Sequence, residues 1–245
     1  MNNNPICFFD SGIGGSTILK EVIKKLPNEN YIYLSDSNNN PYGNKTKEEL
    51  FKIVNNNIKT LLKYKPKLIV CACNTATTIV LDNIRKKYKD ITFIGTEPAI
   101  KIVHDKYKNK KTIILTTKGT ARSERFKKLF NKYKTPDCTL VEAPMLASLI
   151  ETGKDPYPYL KELLKNYTKV EVVVLGCTHF PLAKKEIEKV LGKVLFVDGH
   201  SAIANKIYNS LKDNNLLSLN NVGNLHIITP NQNIKNKIIE IIKEN

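Results

Sequence analysis

Two stretches of this chain share a pattern that few folds accommodate. Leu68-Ile69-Val70-Cys71-Ala72-Cys73-Asn74-Thr75 is an apolar run that ends in Cys-Asn-Thr and passes into a helical pattern. Val172-Val173-Val174-Leu175-Gly176-Cys177-Thr178-His179 is a second such run, ending in Cys-Thr-His. A continuous apolar run of strand length is what a strand buried on both faces requires, and parallel sheets covered by helices bury their strands in that way. Each cysteine then stands at the carboxyl end of a strand, where open α/β sheets place their ligands.

The rest of the chain alternates in the same manner. Residues 6–9, 31–34, 68–72 and 91–95 read as strands, with helical periodicity across 16–26, 47–63 and 75–88. The pattern restarts with strands at 112–116, 139–142, 170–176, 194–198 and 225–229, and helices at 123–133, 145–151, 157–166, 183–191, 201–211 and 234–243. Strand–helix alternation with a repeated motif predicts an α/β fold. The expected architecture is two similar domains with mostly parallel sheets flanked by helices, the active site lying in the interdomain cleft and each domain offering one thiol.

With 245 residues, the chain is long enough for two such domains. No apolar stretch approaches the ~18 residues of a membrane span, and the opening MNNNPICFFDSG lacks the basic and apolar regions of a secretory signal. The five cysteines, Cys7, Cys71, Cys73, Cys138 and Cys177, are odd in number and mostly sit in strand-like runs. That argues against a disulfide framework and for a reducing, cytoplasmic setting. Cys7, Cys71 and Cys138 read as core residues.

The net charge of +16 invites a nucleic-acid reading. Arginine, the better residue for bidentate phosphate and guanine recognition, occurs only at Arg85, Arg122 and Arg125. Lysine supplies the rest, without interleaved aromatics for base stacking. The excess therefore reads as solvated surface from a Lys/Asn/Ile-rich composition. A lysine-rich nucleic-acid-binding protein stands as the alternative from a different class, and no membrane partner is expected.

Paired thiols beside polar groups admit three chemistries. Metal binding by Cys71, Cys73, Cys177 and His179 needs a ligand spacing that C-x-C and C-x-H match poorly, so no metal site is assigned. His179 close to Cys177 allows a nucleophilic cysteine. Two thiols facing each other across a substrate allow a proton to be removed from one face and returned to the other, with Asp10 and His179 assisting and no cofactor needed. The turn Asp10-Ser11-Gly12-Ile13-Gly14-Gly15 lacks the last glycine of a dinucleotide fingerprint and the ending of a P-loop. Asn74, Thr75, Thr120 and Thr178 offer donors for a carboxylate.

Five stretches together resemble the cofactor-independent glutamate racemases of the aspartate/glutamate racemase superfamily. They are Phe9-Asp10-Ser11-Gly12-Ile13-Gly14-Gly15, Pro41-Tyr42-Gly43-Asn44-Lys45-Thr46, Ala72-Cys73-Asn74-Thr75-Ala76, Glu97-Pro98 and Gly176-Cys177-Thr178-His179-Phe180-Pro181-Leu182. The resemblance implies a first domain of residues 1–96 plus 204–245 and a second of 97–203. It implies interconversion of L- and D-glutamate, supplying D-glutamate for peptidoglycan, in a homodimer. Racemisation of another amino acid such as aspartate, or of a hydantoin, is the rival within the superfamily. Cys73 would be the base toward the D-isomer, assisted by Asp10. Cys177 would be the base toward the L-isomer, assisted by His179, which Glu151 orients. Asp10, Ser11, Pro41, Tyr42, Gly43, Asn74, Thr75, Thr117, Thr120, Thr178 and His179 resemble the family's substrate-binding positions.

The chain departs from the family pattern in two loops. Asp36-Ser37-Asn38-Asn39-Asn40 carries no arginine, and Gly199-His200-Ser201 replaces a Ser-small-Glu pattern. His200 reads as a surface or loop histidine. Both departures are expected to bear on rate, regulation and assembly rather than on the reaction.

Overall fold

Every residue of Ile6–Asp10 and of Val172–Gly176 is buried, as strands covered on both faces must be. The computed structural model describes residues 3–244. Its strands are β1 (Ile6–Asp10), β2 (Tyr31–Ser35), β3 (Leu68–Cys71), β4 (Phe93–Gly95), β5 (Thr112–Thr116), β6 (Cys138–Glu142), β7 (Val172–Gly176), β8 (Leu195–Val197) and β9 (Leu225–Ile228). They form two sheets, ordered β4-β3-β1-β2-β9 and β6-β5-β7-β8. Every pairing in both is parallel. The fold is therefore two parallel sheets flanked by helices, as the apolar runs require.

Helices cover both faces of each sheet. Against one face of the first sheet, Ile18, Leu19 and Val22 of helix Ser16–Lys25 meet Ile203, Ala204 and Ile207 of His200–Asp213 and Ile238 of Gln232–Lys243. On the other face lie Leu50, Val54, Ile58 and Leu61 of helix Lys47–Leu62. That helix opens on a capping box, with Thr46 and Glu49 satisfying each other's backbone N–H. The second sheet buries Leu160, Leu164 and Ile187 on one face and Ile100, Val103 and Phe126 on the other.

Register aligns the strand ends. Phe9 lies opposite Cys71 and Asp10 opposite Ser35, so the residues after β3 emerge beside Asp10. In the second sheet Thr116 lies between Glu142 and Gly176, bringing Thr117 and Cys177 out at one edge.

Some local structure differs from the periodicity. The helix expected over 75–88 divides at Val80 into Asn74–Ile79 and Leu81–Lys87, with Val80 at φ −125° and ψ −14°. Thr77, Thr78, Ile79 and Val80 form a β-branched run, and the Thr78 hydroxyl donates back to the Asn74 carbonyl at 3.0 Å; both effects weaken a helix. Helices Ile100–Lys106 and Lys118–Arg122 lie where none was expected. His200 is not a surface or loop residue: it starts helix His200–Asp213, its side chain is 13% exposed, and its ring reaches Thr17 Oγ1 at 3.4 Å. Cys7 and Cys71 are fully buried and Cys138 is half-buried, all as free thiols. Among the described residues no helix is long and apolar enough to cross a membrane.

Candidate active site

Asp10 ends β1 with none of its surface exposed. The chain turns at once, and Asp10 Oδ2 accepts the backbone N–H groups of Gly12 at 3.2 Å and Gly15 at 3.0 Å. Across the cleft, the Thr178 hydroxyl donates to Oδ1 at 3.3 Å. Burial raises the Asp10 carboxyl above its ordinary range, while the nearby His179 charge and the turn amides work against that rise. A carboxylate so placed is a ready proton acceptor, and its glycine-rich turn grips a side chain rather than a phosphate.

Cys73 follows β3 and caps helix Asn74–Ile79. It is 4% exposed, and its Sγ lies 3.9 Å from Ser11 Oγ. Burial pushes this thiol well up, and the negative charge of Asp10 adds to the effect. Cys73 therefore rests as the protonated thiol.

Cys177 follows β7, is 8% exposed, and its Sγ lies 4.0 Å from His179 Nδ1. His179 Nε2 lies 2.7 Å from Glu151 Oε2. Burial alone would strip the proton from this imidazole, but its hydrogen bonds to Cys177 and Glu151 outweigh burial and hold the ring well above its ordinary value. At Glu151 burial is the largest single influence and opposes the charge, yet the His179 contact together with the hydrogen bonds from Ser37 and Ile13 keeps the carboxyl below its usual range. Glu151 stands near the end of helix Leu146–Thr152, which Gly153 closes in the left-handed conformation at φ 72°.

The two thiols thus occupy opposite settings. One is protonated beside a carboxylate; the other faces an imidazolium.

The remaining predicted positions fall into two groups. Thr75 Oγ1 lies 2.9 Å from Thr117 Oγ1 and 3.3 Å from Thr120 Oγ1, joining the first sheet's helix to the second sheet's loop. Thr117 also caps helix Lys118–Arg122 by accepting the Thr120 N–H. Ser11, Asn74 and Thr178 are buried nearby. Pro41 leads into the short turn Tyr42–Asn44. The Tyr42 side chain points into the first sheet's core, where its hydroxyl donates to Asp36 Oδ2 at 2.5 Å and accepts from Asn57 at 2.9 Å. Its side chain is thus committed to holding the loop. Gly43 packs on Gly119 and Thr117 so closely that a side chain on either glycine would crowd the contact. A cavity of about 770 Å³ opens on the outer side of that contact, and neither Cys73 nor Cys177 lines it. Among the described residues no group of three or more His, Cys, Asp and Glu side chains is placed to hold a metal ion.

The Asp/Glu/Hydantoin racemase family matches residues 32–207. A glutamate racemase of Clostridium botulinum is 41% identical over 251 residues, covering 99% of this chain and 96% of its relative. The chain belongs to the Asp/Glu/Hydantoin racemase family. Among solved structures, the glutamate racemase of Francisella tularensis in complex with D-glutamate superimposes with a TM-score of 0.82 at 27% identity, covering 100% of this chain and 96% of that one. The Escherichia coli glutamate racemase in complex with L-glutamate and the activator UDP-MurNAc-ala gives 0.81 at 28% identity, covering 98% and 94%.

Within this racemase fold, several polar groups at the cleft carry no sequence signature. The Ile13 backbone N–H donates to Glu151 Oε2 at 2.9 Å, and the Ser37 hydroxyl to Glu151 Oε1 at 2.5 Å. The Tyr33 hydroxyl donates to the Gly12 carbonyl at 2.7 Å. Ser37 lies in the loop that departs from the family pattern, and Tyr33 reads as an ordinary strand residue. Neither stands out without the fold.

Proposed function

We propose that this chain is an isomerase that interconverts L- and D-glutamate by two-base proton transfer between Cys177 and Cys73. The observation that carries this reading is the pair of buried cysteines at the carboxyl ends of β3 and β7, in different sheets, with opposite proton partners. D- and L-glutamate in two structural relatives support the substrate.

With L-glutamate bound, Cys177 as thiolate takes the Cα proton and becomes a thiol. Cys73 gives its own proton to the opposite face, leaving D-glutamate and a Cys73 thiolate. The reverse reaction restores the starting state, as does loss of the Cys177 proton to solvent and uptake of one by Cys73 once the product has left. Asn74, Thr75, Thr117, Thr120 and Thr178, with Ser11 and the backbone near Pro41, Tyr42 and Gly43, supply donors for the substrate carboxylates. Those donors stabilise the charge that builds as Cα loses its proton. With the thiols 4% and 8% exposed, the proton transfer takes place in a site largely shielded from water.

The reading extends to a domain division at 1–96 plus 204–245 and 97–203. It is supported by the first sheet drawing strands from both ends of the chain; residues 1, 2 and 245 lie outside the described residues. It extends further, on the family resemblance, to a cytoplasmic homodimer that needs no cofactor and supplies D-glutamate for peptidoglycan.

The test is deuterium exchange. In D₂O, each enantiomer should lose its Cα proton signal while the optical rotation decays to zero. Cys73→Ala and Cys177→Ala should each abolish racemisation. A purified, folded chain that exchanges neither enantiomer overturns the reading.

A further inference from the structure

Glu151 receives more hydrogen bonds than a residue that only orients a histidine requires. Its Oε2 takes His179 Nε2 at 2.7 Å and the Ile13 N–H at 2.9 Å. Its Oε1 takes the Ser37 hydroxyl at 2.5 Å, and Ser37 Oγ in turn lies 2.9 Å from Ser35 Oγ at the end of β2. An ionised carboxylate only accepts, so Ser37 donates to Glu151 and its own oxygen is left to accept from Ser35. A continuous chain results: Ser35, Ser37, Glu151, His179, Cys177.

We infer that Ser37 is a positioning residue for proton transfer at Cys177, holding the Glu151 carboxylate ionised and turned so that Oε2 meets His179. The inference rests on the racemase reading above. Ser37 sits in the short turn Ser37–Asn39 that follows a strand of the first sheet. Glu151 sits on a helix packed with the second sheet. The hydrogen bond therefore joins the turn after a strand of the first sheet to a helix packed on the second.

The charged and titratable groups around this pair come from several elements. They are Asp10 after β1, Cys73 after β3, Cys177 after β7, Tyr33 on β2, Asp36 beside Ser37, and Lys237, whose Nζ lies 3.3 Å from the Glu151 backbone carbonyl. None of these donates to Oε1. Removing the Ser37 hydroxyl therefore destabilises the ionised form of Glu151, and the carboxyl takes up a proton at higher pH. Once Glu151 is neutral, His179 keeps its contact with Cys177 but loses the other hydrogen bond that favours its charged form.

The test uses the full chain with Ser37→Ala, Ser37→Cys and Ser37→Thr. Ser37→Ala should lower kcat/KM for glutamate about tenfold near neutral pH. It should also move the acid limb of the kcat/KM profile upward by about one pH unit, the shift equivalent to one hydrogen bond to a charged group. Ser37→Thr keeps the hydroxyl and should restore both rate and limb. Ser37→Cys, a weaker donor of similar size, should fall between and serves if the alanine variant does not fold. A second readout needs no turnover: the carboxyl ¹³C titration of Glu151 should move upward in Ser37→Ala and return in Ser37→Thr. A drop in rate with an unmoved acid limb and an unmoved Glu151 titration overturns the inference. Failure of the wild-type chain to racemise glutamate instead overturns the proposed function, and the Glu151 titration still decides the role of Ser37.

Discussion

Gly14 and His179 meet so closely that a methyl group at residue 14 would collide with the imidazole Nδ1 and with the His179 backbone nitrogen. Gly12 stands in the same relation to the Glu151 carboxylate. The glycine-rich turn after β1 is therefore shaped by a side chain from helix Leu146–Thr152 and by the histidine that follows β7. Gly14→Ala should force the cleft apart, because the backbone of residue 179 has nowhere to rotate. Overpacking of this kind costs about 1–3 kcal/mol, and urea unfolding should show it together with loss of racemisation. Gly12→Ala meets only the end of a flexible side chain. It should lose less stability yet still break the Glu151–His179 contact. Equal and small effects at both positions would show that the turn tolerates side chains.

Much of this arrangement is legible in the amino-acid sequence. Val172–Leu175 and Leu68–Cys71 read as buried parallel strands because both faces are apolar, and a cysteine just past such a strand has to emerge at the sheet edge. The break at Val80 is not legible, because the apolar spacing continues through it while the β-branched run and the back-bonding Thr78 act on the backbone. Ser37 escapes notice for another reason. Its partner Glu151 is 114 residues away, and a contact at that separation leaves no trace in local periodicity. His200 misleads because a lone histidine beside glycine looks like a loop residue, whereas here it opens a helix and packs toward Thr17.

Glu151→Gln keeps the shape of the side chain and removes its charge. Burial then opposes the His179 imidazolium with only Cys177 and the more distant Asp10 favouring it, so the ring should titrate lower than in the parent chain. Racemisation should fall by on the order of 10²-fold, within the range of a positioned acid–base group. The chain has four histidines, which makes an imidazole NMR titration assignable by single substitutions. A Glu151→Gln variant with parental rate and an unmoved His179 titration would exclude the pairing as a functional feature.

Thr117 does two jobs with one oxygen, capping helix Lys118–Arg122 and meeting Thr75 across the cleft. Thr117→Val should cost about 1 kcal/mol for the lost cap. It should also raise KM for glutamate, because Thr75, Thr117 and Thr120 form a triangle of mutually bonded hydroxyls that loses one corner. Thr117→Ser should restore both. A raised KM that serine does not restore would point to the β-branched shape rather than the hydroxyl.

The buried pair also ties stability to pH. His179 is held above its unfolded value of 6.5, so its contribution is fully present below pH 6.5 and is lost as pH rises through the folded value. Glu151 is held below its unfolded value of 4.5, so its contribution is present above pH 4.5 and is lost as pH falls through the folded value. Asp10 acts oppositely to Glu151: burial raises it from 3.8, and its ionisation weakens the fold as pH rises past that value. Between roughly pH 4.5 and 6.5 both members of the pair contribute in full. The unfolding free energy of the parent chain minus that of His179→Gln should therefore be largest in that window. Above pH 6.5 the difference should narrow, with a slope no steeper than about 1.4 kcal/mol per pH unit for one proton. Urea midpoints measured from pH 4 to 9 on both chains give that difference directly, and a gap that stays constant across the alkaline arm would mean that His179 is neutral in the folded protein.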